Sequence, residues 1–284
     1  MYYIKPFDPW KSSLCTCPSK YNLNIYTGCS HGCIYCYASL YIKDFFRPRI
    51  KKNFFRCIEK DLEKIPPGSL LSLSNSSDPY LPQEKDMLFT RKFLGKLVGR
   101  NLRVLIITKS NLVLRDIDIL KKLNCACTLT LTSFKYYKKL EPFCPSSFER
   151  LEAVKILHNE GIKVGIRIDP LIPFLNVEEA LDILYRCAPF IQHLTTSTLK
   201  MRFSLYRRII KAFPQLKNKL YQLYFVKGEK KQGYLYLPLS LREEYLFPLK
   251  DACEKMGIKF ATCREGMSFF NTAPACDGSW MINS

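Results

Sequence analysis

Apolar and polar positions along the chain follow two different periods. Short apolar runs such as Arg103–Thr108 (R-V-L-I-I-T) are typical of strands buried on both faces of a sheet. Between such runs, apolar side chains recur three and four positions apart, as at Phe89, Phe93, Leu94 and Leu97, which places them on one face of a helix. The pattern therefore predicts strands and helices in turn.

Strands and helices alternate in this way up to about residue 200. The predicted strands are residues 23–28, Ser69–Leu73, Arg103–Thr108, Cys127–Thr132, Lys163–Ile168 and Ile191–Thr196. The predicted helices are Phe55–Lys64, Glu84–Gly99, Arg115–Leu123, Ser147–Glu160 and Asn176–Cys187. Short connections between them predict a parallel sheet with helical crossovers, and hence an α/β fold. The alternation alone fits an open doubly wound sheet as well as a barrel.

The two ends of the chain differ from this central part. The first 22 residues contain three prolines and little periodicity, which predicts an irregular arm. After about residue 200 the alternation stops, although a strand at Gly233–Leu237, a helix at Leu241–Lys255 and a last strand at Lys259–Thr262 are predicted. The chain is therefore divided into an N-terminal arm (1–22), a core (23–200) and a small C-terminal extension (201–284).

The length of 284 residues and the 47% hydrophobic content suffice to bury the core of one large domain. Every apolar run is much shorter than the roughly 20 residues that cross a bilayer. The first ten residues lack the apolar centre of a signal peptide. We therefore expect a cytoplasmic protein with no membrane partner.

The net charge is +19, from 44 Lys and Arg against 25 Asp and Glu. Such an excess attracts polyanions, above all nucleic acid, although a lysine-rich solvated surface is the alternative. After residue 200, basic residues alternate with aromatic ones: Arg202, Arg207, Arg208, Lys211, Lys217 and Lys219 with Phe203, Tyr206, Phe213, Tyr221 and Tyr224. This pattern suits phosphate binding and base stacking, and it equally suits an amphipathic helix with a solvated basic face.

The metal chemistry of the chain is concentrated in residues 26–38, Y-T-G-C-S-H-G-C-I-Y-C-Y-A. Cys29, Cys33 and Cys36 are spaced C-x3-C-x2-C, and three thiolates on one loop can each hold one iron of a cubane [4Fe-4S] cluster. One iron then stays open to a substrate or cofactor. His31 is expected to be a loop residue. Buried reduced cysteines or a zinc knuckle are the alternatives, but zinc sites usually combine two C-x2-C-like pairs.

This motif, with Tyr35 before its last cysteine, resembles the hallmark of the radical S-adenosylmethionine (radical SAM) superfamily. The surrounding N-x-Y-T-G-C-S-H-G-C-I-Y-C-Y-A is similar to the branch related to spore photoproduct lyase. The resemblance implies a partial (β/α)6 barrel of TIM type and a [4Fe-4S] cluster whose open iron binds S-adenosyl-L-methionine (SAM). One electron, from a reductant such as ferredoxin or flavodoxin, then cleaves SAM to methionine and a 5′-deoxyadenosyl radical that abstracts a hydrogen from the substrate.

The same resemblance implies SAM contacts at the carboxyl ends of the strands. Ser77 and Asp78, after the second strand, would contact the SAM amino group, and Lys109, after the third, would pair with the SAM carboxylate. Tyr35, beside the last cluster cysteine, is assigned to the same site. Each of these residues could instead be an ordinary strand-end cap.

Two later strand ends complete the implied SAM site. Thr132 and Ser133 would touch the ribose, and adenine would pack against Ile168–Leu171. One segment departs from spore photoproduct lyase, because residues 74–78 (S-N-S-S-D) contain no thiol, whereas relatives that repair the thymine lesion carry a hydrogen-donating cysteine there. The resemblance therefore supports the SAM site but not repair of that lesion.

The remaining cysteines form two sets. An odd total of 13 cysteines without a signal peptide favours metal binding over a disulfide framework. Six cysteines lie in apolar or helical segments and are expected to be packing residues: Cys57, Cys125, Cys127, Cys144, Cys187 and Cys253. Four lie in irregular polar segments: Cys15, Cys17, Cys263 and Cys276. These four could hold an auxiliary [4Fe-4S] cluster or zinc, or they could be unrelated surface thiols.

We therefore expect a radical SAM enzyme whose substrate is nucleic acid, in DNA or RNA repair or modification. Radical modification of a peptide, protein or lipid is the alternative reaction, and a non-catalytic metal-binding nucleic-acid module is the alternative class. Ser77, Asp78 and Lys109 discriminate against the module, because mere binding needs no SAM pocket. The sequence assigns no catalytic residue beyond the cofactor site.

Overall fold

The computed structural model describes residues 2–7 and 12–283, so residues 8–11 of the predicted arm lie outside the described part. Strands and helices alternate along the core. In chain order they are β1 (Lys5–Pro6), β2 (Tyr21–Leu23), β3 (Tyr26–Thr27), β4 (Arg49–Ile50), α1 (Phe54–Leu62), β5 (Leu70–Leu73), α2 (Glu84–Met87), α3 (Phe89–Leu97), β6 (Arg103–Thr108), α4 (Ile117–Leu120), β7 (Asn124–Thr130), α5 (Tyr137–Leu140), α6 (Ser147–Asn159), β8 (Lys163–Leu171), α7 (Ala180–Cys187), β9 (His193–Thr198), α8 (Phe203–Ala212), α9 (Lys217–Tyr221), β10 (Glu229–Lys231), β11 (Tyr234–Tyr236), α10 (Leu239–Lys255) and β12 (Lys259–Thr262).

One sheet in the order β1-β2-β5-β6-β7-β8-β9-β12 forms the centre of the fold. All neighbours from β2 to β12 are parallel, and only β1 is antiparallel to β2. Within the described residues no ladder joins β12 to β1, so the sheet stays open. The predicted α/β fold class is confirmed.

The central strands are apolar on both faces, which is why they form the interior of a parallel sheet. Val104, Leu105 and Ile106 of β6 are fully buried, as are Ile166 and Ile168 of β8. Helical crossovers bring every parallel strand to the sheet in the same direction, so their carboxyl ends meet at one edge. The functional side chains are expected to collect at that edge.

The boundaries of several elements differ from those that the sequence predicts. The helix predicted at Glu84–Gly99 is divided at Leu88, whose φ is +57°. The Glu84 carboxylate accepts a hydrogen bond from the backbone N–H of Thr90 (2.8 Å), so it caps the first turn of α3 and stabilises the break. The segment at residues 23–28 is likewise divided, because β2 joins the main sheet while β3 pairs with β4.

The C-terminal extension contributes to the central sheet as well as to the surface. Its last strand, β12, pairs in parallel with β9, with Lys259 opposite His193 and Thr262 opposite Thr196. The sheet thus has one more parallel strand than the six predicted for the core. The sequence could not show this, because a strand of four residues carries no sign of its neighbour.

No helix in residues 2–7 and 12–283 combines the length and apolar character needed to cross a bilayer.

Candidate metal centre

The loop at residues 26–38, called the cluster loop below, follows β3 and turns sharply at two glycines. Gly28 has a φ of +91°, and a Cβ there would lie 2.4 Å from the carbonyl oxygen of Phe45. Gly32 has a φ of +70°, and its Cβ would lie 2.7 Å from Cδ2 of Phe143. Both a left-handed conformation and this close approach require glycine. The two glycines therefore fix the path on which the three cysteines sit.

Residues from distant segments hold the cluster loop in place. The Ser77 hydroxyl donates to the carbonyl oxygen of Gly28 at 2.6 Å. The Arg208 guanidinium donates to the carbonyl oxygen of Cys36 at 3.2 Å and to the Ser39 hydroxyl at 2.8 Å. Arg208 belongs to the basic, aromatic-rich stretch of the extension, so one member of that stretch supports the loop instead of facing solvent.

Cys29, Cys33 and Cys36 all line one cavity of about 540 Å³. Burial raises the pKa of Cys29 well above its ordinary value and that of Cys36 to about 11, and the charge of Cys33 adds to both effects. Such thiols become good ligands when a metal displaces their protons. Within the described residues no three His, Cys, Asp or Glu side chains are arranged to hold a single ion. Three soft donors on one loop fit a cubane cluster, in which each sulfur binds a different iron.

Cys144 differs from the other cysteines that the sequence assigns to packing. Its side chain hydrogen-bonds with Cys33, and this contact lowers the pKa of Cys33 despite burial. It therefore lies beside the metal centre, at the end of a loop that the sequence does not connect with Cys33. Four others are buried as predicted: Cys125, Cys127, Cys187 and Cys253. Cys57 is half-buried.

Asp78 joins the ends of β5 and β6. Its carboxylate accepts hydrogen bonds from the Thr108 hydroxyl (2.7 Å) and from the backbone N–H groups of Tyr80 (2.9 Å) and Lys109 (2.8 Å). Burial opposes its ionisation, but these bonds and the nearby His31 ring lower its pKa. Asp78 lines the cavity, and its contact with the SAM amino group stays a prediction.

Glu141 is the centre of a buried polar network that the sequence analysis missed. Its carboxylate accepts from the hydroxyls of Tyr35 and Thr132, from the Arg150 guanidinium and from Nζ of Lys109, which lies 3.2 Å away. Burial opposes ionisation, but Arg150 and Lys109 outweigh it and lower the pKa of Glu141. Burial by itself would lower the pKa of Lys109. Attraction to the Glu141 carboxylate outweighs burial, so the pKa of Lys109 is raised. Lys109 therefore stays charged on the cavity wall.

Thr132 and Ser133, which the resemblance assigns to the ribose, are both fully buried, and this contact stays a prediction. Thr132 is bound to Glu141, and the Ser133 hydroxyl donates to Glu179. β7 ends at Thr130, two residues before its predicted end at Thr132. Thr130 is the residue of this strand that faces the cavity.

The opposite wall of the cavity carries a second charged network from the ends of β8 and β9. Nη2 of Arg167 lies 2.7 Å from Asp169, which also accepts from the Ser197 hydroxyl at 2.5 Å. Nζ of Lys200 donates to Glu265 at 2.7 Å. The sequence could have indicated the pairing of Arg167 with Asp169, because residues two apart on a strand share a face.

The predicted adenine stretch is divided between core and cavity. Ile168 and Leu171 are fully buried, whereas Asp169 and Pro170 line the cavity. Aromatic rings also line the cavity: Tyr37 and Tyr41 are exposed, Tyr234 is half-buried and Tyr236 is fully buried.

The four cysteines of the second predicted set line the same cavity as the cluster loop. Sγ of Cys17 lies 3.4 Å from Sγ of Cys276. The fold therefore brings thiols from the arm and from the end of the chain to one place.

The sequence matches one protein-family model and resembles several individual proteins. The model of the Radical SAM superfamily matches residues 23–186, more than half of the chain. The chain is 36% identical over 180 residues to an uncharacterized protein of Methanocaldococcus jannaschii, covering 60% of this chain and 66% of that protein. It is 30% identical over 175 residues to an uncharacterized protein of Acidianus two-tailed virus, covering 55% and 58%. The matched part is thus less than two thirds of these relatives' length.

Solved structures with a similar fold include spore photoproduct lyase. A variant of that lyase has a TM-score of 0.71 at 16% identity, covering 92% of this chain and 80% of the lyase. The lyase complexed with dinucleoside spore photoproduct has a TM-score of 0.69 at 17% identity, covering 85% and 76%. SuiB of Streptococcus suis has a TM-score of 0.53 at 14% identity, covering 85% and 49%. At these identities the likeness concerns the fold alone.

Proposed function

The chain belongs to the radical SAM superfamily, and on this premise we propose that it is a radical SAM enzyme acting on nucleic acid. Cys29, Cys33 and Cys36 would hold the [4Fe-4S] cluster. With SAM bound, the cluster supplies a radical that abstracts a hydrogen atom from the substrate. We further propose that a small redox protein such as ferredoxin or flavodoxin delivers the electron.

The chain's own residues would position these cofactors. The bonds from Ser77 and Arg208 keep the cluster loop against the carboxyl edge of the sheet. Lys109 is charged, lines the cavity and lies 5.4 Å from the centre of the Tyr35 ring. It is therefore suited to pair with the SAM carboxylate, while Asp78 offers negative charge to the amino group.

The combination of aromatic rings and positive charge around one cavity carries the proposal of a nucleic-acid substrate. Tyr37 and Tyr41 line the cavity and are 39% and 46% exposed, which leaves ring surface for stacking. Lys43 and Arg47 follow directly on the cluster loop and are exposed, and Lys211 is exposed one helical turn after the loop-bound Arg208. The net charge of +19 favours a polyanionic partner in general.

The fold likeness to a lyase complexed with a dinucleoside lesion gives additional support. Repair of that same lesion is not proposed, because residues 74–78 contain no thiol to return a hydrogen atom. Another modification or repair reaction on DNA or RNA is therefore the proposed activity.

Salt dependence of binding tests the substrate class. Each phosphate contact releases counterions, so affinity for short DNA or RNA should fall by about 10- to 1,000-fold between roughly 50 and 200 mM salt. The variant Lys43→Glu, Arg47→Glu, Lys211→Glu should bind more weakly and with a shallower salt slope. The matched control reverses three exposed charges on or just after α1: Arg56→Glu, Lys60→Glu and Lys64→Glu.

Two results would contradict a nucleic-acid substrate. One is an affinity that does not change with salt, or that falls equally in both variants. The other is release of 5′-deoxyadenosine by the reconstituted enzyme that peptides stimulate and nucleic acids do not.

A further inference from the structure

Four thiols outside the cluster loop come together from opposite ends of the chain. Cys15 and Cys17 lie in the arm between β1 and β2, Cys263 directly follows β12, and Cys276 lies in the segment after it. The Cys17 and Cys276 sulfurs are 3.4 Å apart although 259 positions separate them. The Cys15 side chain in turn hydrogen-bonds with Cys17.

Cys263 is placed beside this group by the sheet. Its backbone N–H donates to the carbonyl oxygen of Thr196 at 2.9 Å, which continues the pairing of β12 with β9. Cys263 and Cys276 interact electrostatically with each other, and the Arg167 guanidinium acts on both. All four thiols line the same cavity.

Further contacts fix the arm against the end of the chain. Lys20 and Asp277 form a buried ion pair, close in sequence to Cys17 and Cys276. The Thr195 hydroxyl of β9 donates to the carbonyl oxygen of Cys276 at 2.8 Å. The thiols are thus held by a buried framework, which distinguishes them from scattered surface cysteines.

The chemistry of this group is that of a closed metal site. Four thiolates satisfy a tetrahedral zinc ion or all irons of a cubane cluster, and both centres favour soft sulfur ligands. Four thiolates carry negative charge, which nearby cations must offset. Lys20 acts electrostatically on Cys17, and Arg167 acts on Cys263. We propose that Cys15, Cys17, Cys263 and Cys276 ligate a second metal centre, zinc or an iron–sulfur cluster, in the wall of the cavity that the cluster loop lines.

The Cys17 and Cys276 sulfurs form the close pair of this set, 3.4 Å apart. Within residues 2–7 and 12–283, no group of three or more His, Cys, Asp or Glu is closed around a single ion. That holds for the second set and equally for Cys29, Cys33 and Cys36, which the superfamily uses for its cluster. A cubane cluster needs no such closure, because each of its irons takes a different sulfur, so this arrangement favours an iron–sulfur cluster over a single zinc ion.

The test uses the full chain with the first site removed. The variant Cys29→Ala, Cys33→Ala, Cys36→Ala is prepared anaerobically and reconstituted with iron and sulfide, or separately with zinc. It should retain either about four irons per chain, with the absorption and EPR signals of a cluster, or about one zinc without them. Adding Cys17→Ala and Cys276→Ala should reduce this metal content at least tenfold. Adding Cys125→Ala and Cys187→Ala instead, which removes two buried core thiols, should not.

A second measurement keeps the inference testable if the five-cysteine variant does not fold. In the first variant, bound metal should protect Cys15, Cys17, Cys263 and Cys276 from alkylation, and a chelator should expose them together. Three results would each overturn the inference. They are protein that holds no metal after either reconstitution, equal alkylation with and without chelator, and a Cys17–Cys276 disulfide instead of bound metal. All of these readouts are independent of catalysis, so they stand whether or not the substrate is nucleic acid.

Discussion

The cluster loop and the arm–tail site (Cys15, Cys17, Cys263 and Cys276) both bring thiols to one cavity, but by different means. In the loop, neighbouring residues supply all the ligands, and backbone turns at Gly28 and Gly32 set their spacing. In the arm–tail site the thiols come from distant segments of the chain and are held by side-chain contacts such as Lys20 with Asp277. A local site is therefore encoded in a short motif, whereas a non-local one depends on the completed fold.

The largest expected difference between the two regions is in SAM cleavage. If the loop holds the iron that SAM needs, as proposed, replacing Cys29, Cys33 and Cys36 by Ala should reduce reductive cleavage to the level of protein without a cluster. Cys17→Ala with Cys276→Ala should leave cleavage within the same order of magnitude. The measurement is 5′-deoxyadenosine released under reducing, anaerobic conditions. Continued cleavage by the triple variant would refute the assignment of the loop.

The next effect is on the buried network behind the loop. Arg150→Ala leaves the Glu141 carboxylate buried without its main partner, which should lower the free energy of unfolding by about 3–5 kcal/mol. Lys155→Ala, which removes the exposed pair with Glu152, is the control and should cost less than about 1 kcal/mol. Urea denaturation measures both. Equal effects would show that the network does not stabilise this side of the cavity.

Comparing alanine substitutions at two glycines distinguishes the cost of backbone strain from the cost of a steric clash. Gly99→Ala tests strain alone, because its φ is +79° and a Cβ there meets nothing within 4 Å, so the loss should be about 1–2 kcal/mol. Gly28→Ala has a similar φ but also forces a Cβ against Phe45, which should add about 1–3 kcal/mol. Urea denaturation and the iron content after reconstitution should both single out Gly28→Ala. Similar losses at both positions would mean that the loop can relax.

The smallest effect concerns the start of the arm and its dependence on pH. The Asp61 carboxylate accepts hydrogen bonds from the backbone N–H groups of Tyr2, Tyr3 and Ile4. Burial opposes ionisation, but these bonds lower its pKa. The stability that Asp61 contributes is therefore complete above about pH 5 and is lost as pH falls below about 4.

The matching measurement is the difference in unfolding free energy between the wild type and Asp61→Asn, from urea denaturation between about pH 6 and 2.5. This difference should shrink towards acid pH. A difference that stays constant would mean that Asp61 does not hold the arm through its charge.

The sequence predicted the parts of the molecule whose information is local. The fold class followed from apolar runs such as β6, whose bounds at Arg103–Thr108 were correct, and the metal motif followed from the spacing of three cysteines. It failed where distant residues meet. Glu141 lies in a loop with no periodicity, and the pairing of β12 with β9 could not be read from either strand.

Smaller errors had a local cause. The predicted end of β7, Thr132, lies two residues after the observed end at Thr130, because the polar residues beyond the strand alternate as those within it do. Cys144 was assigned to packing because nothing near it in sequence indicates that it touches Cys33. The sequence likewise could not decide whether the arm–tail cysteines come together. Their spacing within each segment contains no information on the path of the chain between the segments.

The late position of β12 has a consequence for the order of events during synthesis. Ribosomes extend chains at about 5–20 residues per second, so the cluster loop leaves the ribosome on the order of ten seconds or more before β12 does. The loop lacks its clamp until Arg208 has been added, and the edge of β9 stays unpaired until β12 has been added. A chain stopped before Lys259 would carry all three motif cysteines and still expose an unpaired strand edge.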